Sequence, residues 1–346
     1  MTSSKGKNRL TLWIGGSSSL ARTYINQFGS EGLLLSGLEE NPPQWVGRAQ
    51  YTSIDLAKLD KVKAQRFFQC YENIQTIIVG VRPLLFAAYV NTSRVPLLML
   101  EGIHILLEQA VLTGNIQYVL HISSVAALDH LRAQKFVKKD DPIPPISEIQ
   151  ASYDLFKRKS EHAIETVCQS ANIAYSHLRL SAIFSDDRAC IQCRALELQF
   201  RVGCYLPIPI DCNSSANVAR AIQAMVTRAQ QPDTKNETAY FYTRPLLLDR
   251  PVPYGYYLET FRQAYGVHSS SIWIPVWIVT WFVAFVHWIA SWNSFFRLPY
   301  LDAADYLLQV SSREHSFDCS LFARDFKIKE ETILECFIRR KTVLAN

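Results

Sequence analysis

The chain has 346 residues, of which 49% are hydrophobic and 19% are charged. This composition is that of a globular protein with a large core, and it excludes a low-complexity or disordered chain. The net charge is only +5 and the basic clusters lack interleaved aromatic side chains, so we expect no nucleic-acid partner.

Short apolar segments alternate with amphipathic segments through the first half of the chain. Strands are predicted at residues 10–14, 33–35, 51–54, 76–81, 118–122 and 175–180. Helices are predicted at residues 20–28, 59–70, 95–112 and 151–170. Strands that are apolar on both faces and alternate with helices are typical of a parallel sheet covered on both sides. We therefore predict an α/β fold with a Rossmann-type, doubly wound parallel sheet and a smaller, mostly C-terminal substrate-binding region.

The pattern becomes irregular beyond residue 185. A charged, proline-containing loop is predicted before the helix at 151–170, and later helices are predicted at 217–229, 256–265 and 330–340. We expect three parts. These are a polar tail at 1–9, a nucleotide-binding domain at 10–185 to which later segments return, and a substrate-binding and membrane-associating region at 186–346.

A glycine turn lies between the first predicted strand and the first predicted helix. Its sequence is Gly15-Gly-Ser-Ser-Ser-Leu-Ala21, and the start of a helix attracts the phosphates of a dinucleotide. Gly15 and Ala21 suit the first and third positions of the dinucleotide fingerprint, whereas Ser18 stands where glycine is expected. The predicted cofactor contacts in this turn are Gly15, Ser18, Ser19, Leu20 and Ala21.

The end of the second predicted strand would meet the adenosine ribose. Ser36 and Gly37 stand there instead of an acidic residue, and Glu39 and Glu40 follow slightly beyond. Because no carboxylate stands at the expected position and no arginine lies beside it, the choice between NAD and NADP stays open.

Tyr153 and Lys157 are four residues apart and therefore share one face of the predicted helix. An ammonium group beside a phenol lowers the pKa of the phenol, as a general acid and base for hydroxyl–carbonyl interconversion requires. Ser123 and Ser124 end the fifth predicted strand, at the edge where ligands bind in open α/β sheets. Such a pair is also common on ordinary helix surfaces, and serines often cap strand ends.

These segments together resemble the extended short-chain dehydrogenase/reductase family. Within it, they are most similar to the branch of 3β-hydroxysteroid dehydrogenases and sterol-4α-carboxylate 3-dehydrogenases. The similar segments span nearly the whole chain in the right order. They are residues 15–21, 54–56, 101–102, 118–124, 153–161, 178–184, 217–221 and 317–318.

The resemblance implies a catalytic set of Ser124, Tyr153 and Lys157 with NAD or NADP as the cofactor. Asp55 would contact the adenine, and the segment after Leu180 would border the nicotinamide. The further cofactor contacts that it implies are Ser36, Leu56, Val81, Ser123, Tyr153 and Lys157.

The implied reaction is oxidation of the 3β-hydroxyl of a sterol-like substrate, with decarboxylation if the substrate carries a 4-carboxylate. One alternative is another extended-family reductase or epimerase that acts on a small ketone or a sugar nucleotide. A second alternative is a binding protein that kept the fold and lost tight cofactor binding, which the altered position 18 would explain.

Residues 272–292 form an uncharged stretch that holds five of the seven tryptophans. Trp281, Phe285, Trp288 and Trp292 follow one stripe of a helix. A membrane span, an interfacial helix and a buried helix over the substrate pocket are the three interpretations. We expect a helix that covers a hydrophobic substrate and also contacts a membrane surface. The resemblance then implies the cytoplasmic face of the endoplasmic reticulum or lipid droplets, and the cytoplasm if the helix is buried.

Eight cysteines occur, and Cys190 and Cys193 form a C-x-x-C pair. The spacing to Cys204 and Cys212 is irregular for a zinc ribbon, so we expect reduced thiols and no metal site. A homodimer is a further possibility that the sequence leaves open.

Overall fold

A computed structural model describes most of the chain. The described residues are 9–46, 49–81, 94–128, 136–138, 141–143, 145–149, 152–188, 190–202, 204–205, 209–231, 238–267, 272–275, 277–278, 281, 284–285, 288 and 316–345.

Seven strands form one parallel sheet in the order β3-β2-β1-β4-β5-β7-β12. These strands are β1 (Leu10–Ile14), β2 (Leu33–Gly37), β3 (Gln50–Ser53), β4 (Ile74–Val79), β5 (Tyr118–Ser124), β7 (Ala174–Leu180) and β12 (Thr238–Phe241). The remaining strands form pairs, and they are β6 (Phe136–Val137), β8 (Ala182–Phe184), β9 (Cys204–Tyr205), β10 (Pro209–Ile210), β11 (Cys212–Ser214), β13 (Val252–Pro253), β14 (Ile272–Trp273) and β15 (Ser316–Phe317).

The described helices are α1 (Ser19–Phe28), α2 (Lys61–Cys70), α3 (Val95–Leu112), α4 (Ser152–Ser170), α5 (Ile191–Val202), α6 (Ser215–Ala229), α7 (Tyr254–Tyr265), α8 (Ser320–Asp325) and α9 (Ile333–Ala345). Short 3₁₀ turns lie at Gln44–Val46, Leu56–Lys58, Val125–Leu128 and Ile146–Glu148.

The strand order reverses at β1, which pairs with β2 on one side and with β4 on the other. The chain first builds the sheet outward through β2 and β3, then returns to β4 and continues in the opposite direction. Such a reversal leaves a crevice at the carboxyl ends of the two strands, where ligands bind in this class of fold. The predicted α/β fold with a doubly wound parallel sheet is confirmed.

Helices cover both faces of the sheet, and each face has its own apolar cluster. Trp13 of β1 packs with Tyr24 of α1 and Ile222 of α6 on one face. Leu12 of the same strand packs with Phe68 of α2, and that cluster extends to α3 and α4 on the opposite face. Successive side chains of a strand point to opposite faces and are buried on both, which holds the sheet rigid between two helical layers.

A smaller apolar cluster joins the later elements. Phe184 of β8, Leu196 of α5, Tyr257 of α7 and Phe337 of α9 are all buried in it. Apart from Phe184, these residues lie in the region predicted to bind substrate, and the division into domains stays a prediction. The predicted loop before α4 contains β6, which pairs with β15.

One described helix, Val95–Leu112, is long and apolar enough to cross a bilayer by length and composition. Ile103, Leu106 and Leu107 on this helix are buried against the sheet. A core helix passes the same test, and the burial of these side chains fits that explanation.

Candidate active site

The glycine turn lies against the end of β4. Gly15 has φ +80°, and a Cβ on it would come within 2.7 Å of the Gly80 oxygen and 3.3 Å of Val81 Cγ1. A side chain at position 15 would therefore meet both strain and backbone contact. The turn thus has room only for backbone at the crevice between β1 and β4.

Helix α1 begins directly after this turn. Ser18 is its N-cap and accepts a hydrogen bond from the Ala21 nitrogen at 3.3 Å. Ala21 is fully buried against the sheet, as its predicted packing role requires. A hydroxyl that accepts a bond can still donate one, so Ser18 fits a phosphate oxygen beside the first-turn amides of Ser19 and Leu20. The turn therefore fits a dinucleotide phosphate despite the missing glycine.

A carboxylate lies over the end of β2, although the sequence places none at the expected position. A Cβ on Gly37 would come within 2.5 Å of Tyr51 Oη, 2.7 Å of Glu39 Oε2 and 2.9 Å of Ser17 Oγ. Tyr51 Oη donates to Glu39 Oε2 at 3.2 Å. Hydrogen bonds from the Glu39 backbone and from Ser17 and Tyr51 outweigh the effect of burial and lower the pKa of Glu39. Glu39 therefore brings a negative charge next to the glycine turn, a role that its offset of two residues from Gly37 concealed in the sequence.

Ser36 is buried beside this position, and its hydroxyl has no hydrogen-bond partner among the described residues. The Ser36 carbonyl oxygen accepts from the Gly16 nitrogen at 2.6 Å. Ser36 thus holds the glycine turn through its backbone, and its predicted contact with the cofactor stays a prediction.

Asp55 and Leu56 lie after β3 in a short turn below α3. The Asp55 carboxylate accepts from the Ala57 nitrogen at 3.0 Å and lies 3.3 Å from the Lys58 ammonium. A Cβ on Gly102 of α3 would come within 2.0 Å of the Leu56 oxygen, so this turn and α3 are in direct backbone contact. Asp55 keeps part of its side chain exposed, and its adenine contact stays a prediction.

Lys157 of α4 reaches the ends of β4 and β5. Its ammonium is buried and donates to the Val81 oxygen at 3.1 Å and to the Ile122 oxygen at 3.2 Å. Because Val81 Cγ1 lies 3.3 Å from the position that a Cβ on Gly15 would occupy, Lys157 lies at the same crevice as Gly15. The structure thus brings together the predicted lysine and the predicted phosphate turn.

Tyr153 and Ser124 lie on neighbouring elements at this edge. Tyr153 is half-buried in the first turn of α4, one helical turn before Lys157. Ser124 is half-buried at the end of β5, and its hydroxyl accepts from the Ala126 nitrogen at 3.2 Å. Helix α4 packs against β5 and against the Val125–Leu128 turn, so both hydroxyls belong to one packed unit.

Ser123 points into a buried ionic network. Its hydroxyl donates to Glu161 Oε1 at 2.7 Å, and Arg179 donates to both Glu161 oxygens at 2.9 and 2.8 Å. Burial alone would raise the pKa of Glu161, but the Arg179 guanidinium outweighs burial and holds that pKa far below its usual range. The Ser123 hydroxyl is therefore committed to Glu161, and a cofactor contact through that side chain stays a prediction.

Two buried histidines complete this network, and their role was not apparent from the sequence. His121 of β5 and His177 of β7 are directly opposite one another, with Nδ1 atoms 3.2 Å apart. Burial, followed by the neighbouring His177 and Lys157, lowers the pKa of His121 well below its usual value.

Their ring nitrogens and a Glu161 oxygen lie within 4.8 Å of one another, which is the spacing of a possible metal site. Arg179 and Ser123 already occupy the Glu161 carboxylate, and the guanidinium adds an adjacent positive charge. We therefore interpret this group as a structural network below the site.

The tryptophan stretch presents its described aromatic side chains to the outside. Trp277 and Trp281 are 70% and 65% exposed, and Trp288 is also exposed. The Trp281 and Phe285 rings stack with centroids 5.6 Å apart, and Phe285 stacks on Trp288. The interpretation of a buried helix is wrong for these described residues, and Trp292 lies outside them.

The arrangement joins a glycine turn at a helix N-terminus, a carboxylate next to it, and a lysine that follows a tyrosine by one helical turn. Hydroxyl groups of Ser124 and Tyr153 can hold and protonate a substrate oxygen, while a buried ammonium supplies a fixed positive charge. This combination suits hydroxyl–carbonyl interconversion beside a bound dinucleotide.

Comparison with solved structures gives the same fold across the whole chain. The crystal structure of gox2253 has a TM-score of 0.73 and 14% identity, and covers 98% of both chains. The Bordetella bronchiseptica enzyme WbmH, solved in complex with NAD⁺, has a TM-score of 0.69 and 11% identity over 97% of this chain and 98% of that one. A UDP-N-acetylglucosamine 4-epimerase from Methanobrevibacter ruminantium M1, solved with UDP-N-acetylmuramic acid, has a TM-score of 0.69 and 12% identity over 98% and 99%.

At these identities the likeness establishes the fold and leaves the substrate open. Sequence comparison finds no matching protein-family model and no matching curated protein.

Proposed function

We propose that this protein is an NAD(P)-dependent oxidoreductase of the extended short-chain dehydrogenase/reductase type. The observation that carries the proposal is the buried Lys157 ammonium, bonded to the Val81 and Ile122 carbonyls beside the glycine turn. A charge in this position lies one helical turn from Tyr153 and at the edge where the fold binds a dinucleotide. WbmH, which has the same fold, was solved with NAD⁺, which supports the choice of cofactor.

Bound cofactor would supply the hydride acceptor. Tyr153 takes the hydroxyl proton of the substrate, Ser124 holds the same oxygen, and Lys157 keeps its positive charge next to both. Gly15, Ser18 and the first turn of α1 would hold the pyrophosphate. Glu39 would lie near the adenosine ribose, where a carboxylate repels a 2′-phosphate, so we propose NAD as the preferred cofactor.

The proposed substrate is a sterol-like 3β-alcohol. One support is the resemblance to the sterol branch. The other is the exposed aromatic stripe of Trp277, Trp281 and Trp288, which suits contact with a membrane, and an apolar substrate partitions into a membrane. Decarboxylation would follow if a 4-carboxylate were present.

The test is NADH formation by the full-length protein with NAD⁺ and a 3β-hydroxysterol, with a UDP-sugar in a parallel assay. Turnover of the sterol alone supports the proposal. Interconversion of the UDP-sugar without net NADH would instead establish an epimerase, which the fold of the M. ruminantium enzyme makes the second candidate. Absence of NADH and NADPH binding at millimolar concentration would indicate a non-catalytic binding protein.

We further propose that the exposed aromatic stripe contacts a membrane surface, at the endoplasmic reticulum or at lipid droplets. Trp277, Trp281 and Trp288 point outward without charged residues between them, and tryptophan favours the headgroup region of a bilayer. An interfacial helix is favoured over a span because tryptophan occurs along its whole length.

The homodimer stays a prediction.

Sedimentation with vesicles of phosphatidylcholine and phosphatidylserine tests this contact. Replacement of Trp277, Trp281 and Trp288 by serine should reduce the bound fraction at least tenfold. The matched control replaces the exposed Leu198 and Leu247 by serine, and it should bind like the wild type. Equal loss in both variants would contradict the proposal, and retention after an alkaline carbonate wash would indicate a span.

A further inference from the structure

Cys190 and Cys193 form a pair at the start of helix α5, apart from the proposed catalytic groups. The Cys190 carbonyl accepts the Arg194 nitrogen at 3.0 Å, so Cys190 is the N-cap and Cys193 lies one turn into the helix. Helix geometry places Cα atoms three residues apart at about 5 Å, which is within the Cα separation of roughly 4.4–6.8 Å that a disulfide bridges. The Cα separation of the pair is therefore compatible with a bond between its two sulfur atoms.

The two thiols differ in their surroundings. Cys190 is partly exposed, whereas Cys193 is fully buried behind it. Cys193 Sγ donates to the Ser185 oxygen at 3.3 Å, and Cys190 Sγ lies 3.6 Å from the Ile183 oxygen. One thiol can therefore meet a reagent from solvent, while the other is protected and adjacent.

Charge favours a thiolate on the outer member of the pair. When Cys190 ionises, the Cys193 thiol can donate to this thiolate instead of to Ser185. That hydrogen bond outweighs burial and lowers the pKa of Cys190 to about 6, with a smaller contribution from Arg340. The hydrogen bond to Cys190 and burial together raise the pKa of Cys193. A helix N-terminus favours the same outer thiolate.

We propose that Cys190 and Cys193 are a redox-active dithiol that closes reversibly into a disulfide. Cys190 is the attacking thiolate and Cys193 the resolving thiol. The oxidant is a small disulfide such as oxidised glutathione. The Cys190 thiolate attacks one of its sulfur atoms and releases one glutathione thiolate. Cys193 then loses its proton, attacks Cys190 Sγ and releases the second glutathione, so two thiols are oxidised and one disulfide is reduced.

A zinc site is not favoured by the same residues. Among the residues that the structure describes, the only three histidine, cysteine or acidic side chains within reach of one ion are His121, Glu161 and His177. Cys190 and Cys193 therefore have no third described ligand at metal distance, whereas a disulfide needs only the pair.

The dithiol contacts the segment after Leu180, which the family resemblance places beside the nicotinamide. Ile183, whose carbonyl Cys190 contacts, lies in β8, and Ser185, whose carbonyl Cys193 contacts, follows β8 in the segment that leaves the carboxyl end of β7. Closure of the disulfide removes the Cys193 proton that bonds Ser185. The redox state is thus coupled to the backbone of this segment.

The test uses the full-length protein equilibrated with oxidised and reduced glutathione, then alkylated and analysed by peptide mass spectrometry. We expect the peptide that carries both cysteines to lose two hydrogens and to resist alkylation, and reduced glutathione to reverse this. In Cys193→Ser, Cys190 should accumulate a stable mixed disulfide with glutathione. In Cys190→Ser, Cys193 should form neither adduct nor disulfide.

The matched control is Cys70→Ser, which removes an exposed cysteine in α2 and should leave the internal disulfide unchanged. Cys193→Ala replaces the serine variant if that variant fails to fold. Full alkylation of both thiols in oxidised glutathione would overturn the proposal. So would a Cys193→Ser protein without an adduct on Cys190. Disulfide formation in the wild type and the mixed disulfide in Cys193→Ser are both measured without enzymatic activity. A negative result would therefore contradict the dithiol proposal and leave the proposed oxidoreductase function unaffected.

Discussion

The Lys157 ammonium donates to the Val81 carbonyl oxygen at 3.1 Å, which joins helix α4 to the end of β4. Val81 Cγ1 in turn lies 3.3 Å from the position that a Cβ on Gly15 would occupy. The lysine and the glycine turn are 142 residues apart in the chain and separated by one residue in space. The proposed chemistry depends on this contact. The hydride of the substrate can pass to the cofactor only if the cofactor and the acid–base group both lie beside the same substrate carbon and oxygen.

Replacing Tyr153 by phenylalanine removes the proposed proton acceptor and leaves the ring. We expect turnover to fall roughly 10²–10⁴-fold, the usual range for general acid–base catalysis. The dissociation constant of NADH should change little, as fluorescence titration would measure. Tyr256→Phe removes a hydroxyl from an exposed tyrosine of α7 and should keep full activity. A Tyr153→Phe enzyme with most of its activity would mean that another group moves the proton.

Replacing Lys157 by methionine keeps the length of the side chain and removes its charge. The Val81 and Ile122 oxygens then lose a buried donor, and we expect a loss of about 2 kcal/mol in the free energy of unfolding. Cofactor affinity and turnover should fall as well. Urea denaturation measures the stability, and Lys159→Met on the same helix is the control. Equal stability of the two variants would exclude a structural role for the ammonium.

Replacing Glu39 by glutamine tests the preference for NAD. Loss of one charge near the 2′-phosphate of NADPH should raise the affinity for NADPH relative to NADH about fivefold, equivalent to about 1 kcal/mol. Parallel titrations of the two reduced cofactors measure this ratio. Glu40→Gln changes the neighbouring exposed carboxylate and should leave the ratio unchanged. The same shift in both variants would show that only the general surface charge matters.

The sequence predicted six of the seven strands of the sheet. Five of them are buried along most of their length, and the sixth, β3, lies at one edge. The sequence missed β12, whose four residues lie at the sheet edge, and α5, whose buried face rests on Cys193 and Leu196 while Leu198 is exposed. An amphipathic pattern is weak when cysteine supplies part of the apolar face. Predicted helix ends were within about three residues except for α9, which starts at Ile333 and continues to Ala345.

The candidate site was only partly predictable because some of its contacts join strands that are distant in sequence. Local spacing revealed Tyr153 and Lys157, since four residues on one helix fix their relation. The Glu39 position depends on the pairing of β2 with β3, and the His121–His177 contact depends on the register of β5 and β7. Side-chain contacts between strands that are distant in sequence cannot be derived from one sequence alone.

The stability of the fold should depend on pH through His121. Burial, His177 and Lys157 lower the pKa of His121 well below 6.5, so the folded state does not take up the proton that the unfolded state binds. Stability is therefore complete above pH 6.5 and declines as the pH falls below it, by up to about 1.4 kcal/mol per pH unit. Below about pH 4.5, Glu161 adds a second decline, because its folded pKa is also lowered and the unfolded state is protonated first.

Chemical denaturation at several pH values would measure this slope. His121→Gln should flatten it between about pH 6.5 and pH 5, whatever its effect on the absolute stability. His104→Gln alters an exposed histidine of α3 and should keep the slope of the wild type. If His121→Gln kept that slope as well, the proton would bind elsewhere, and the buried histidine pair would have no part in the acid sensitivity of the fold.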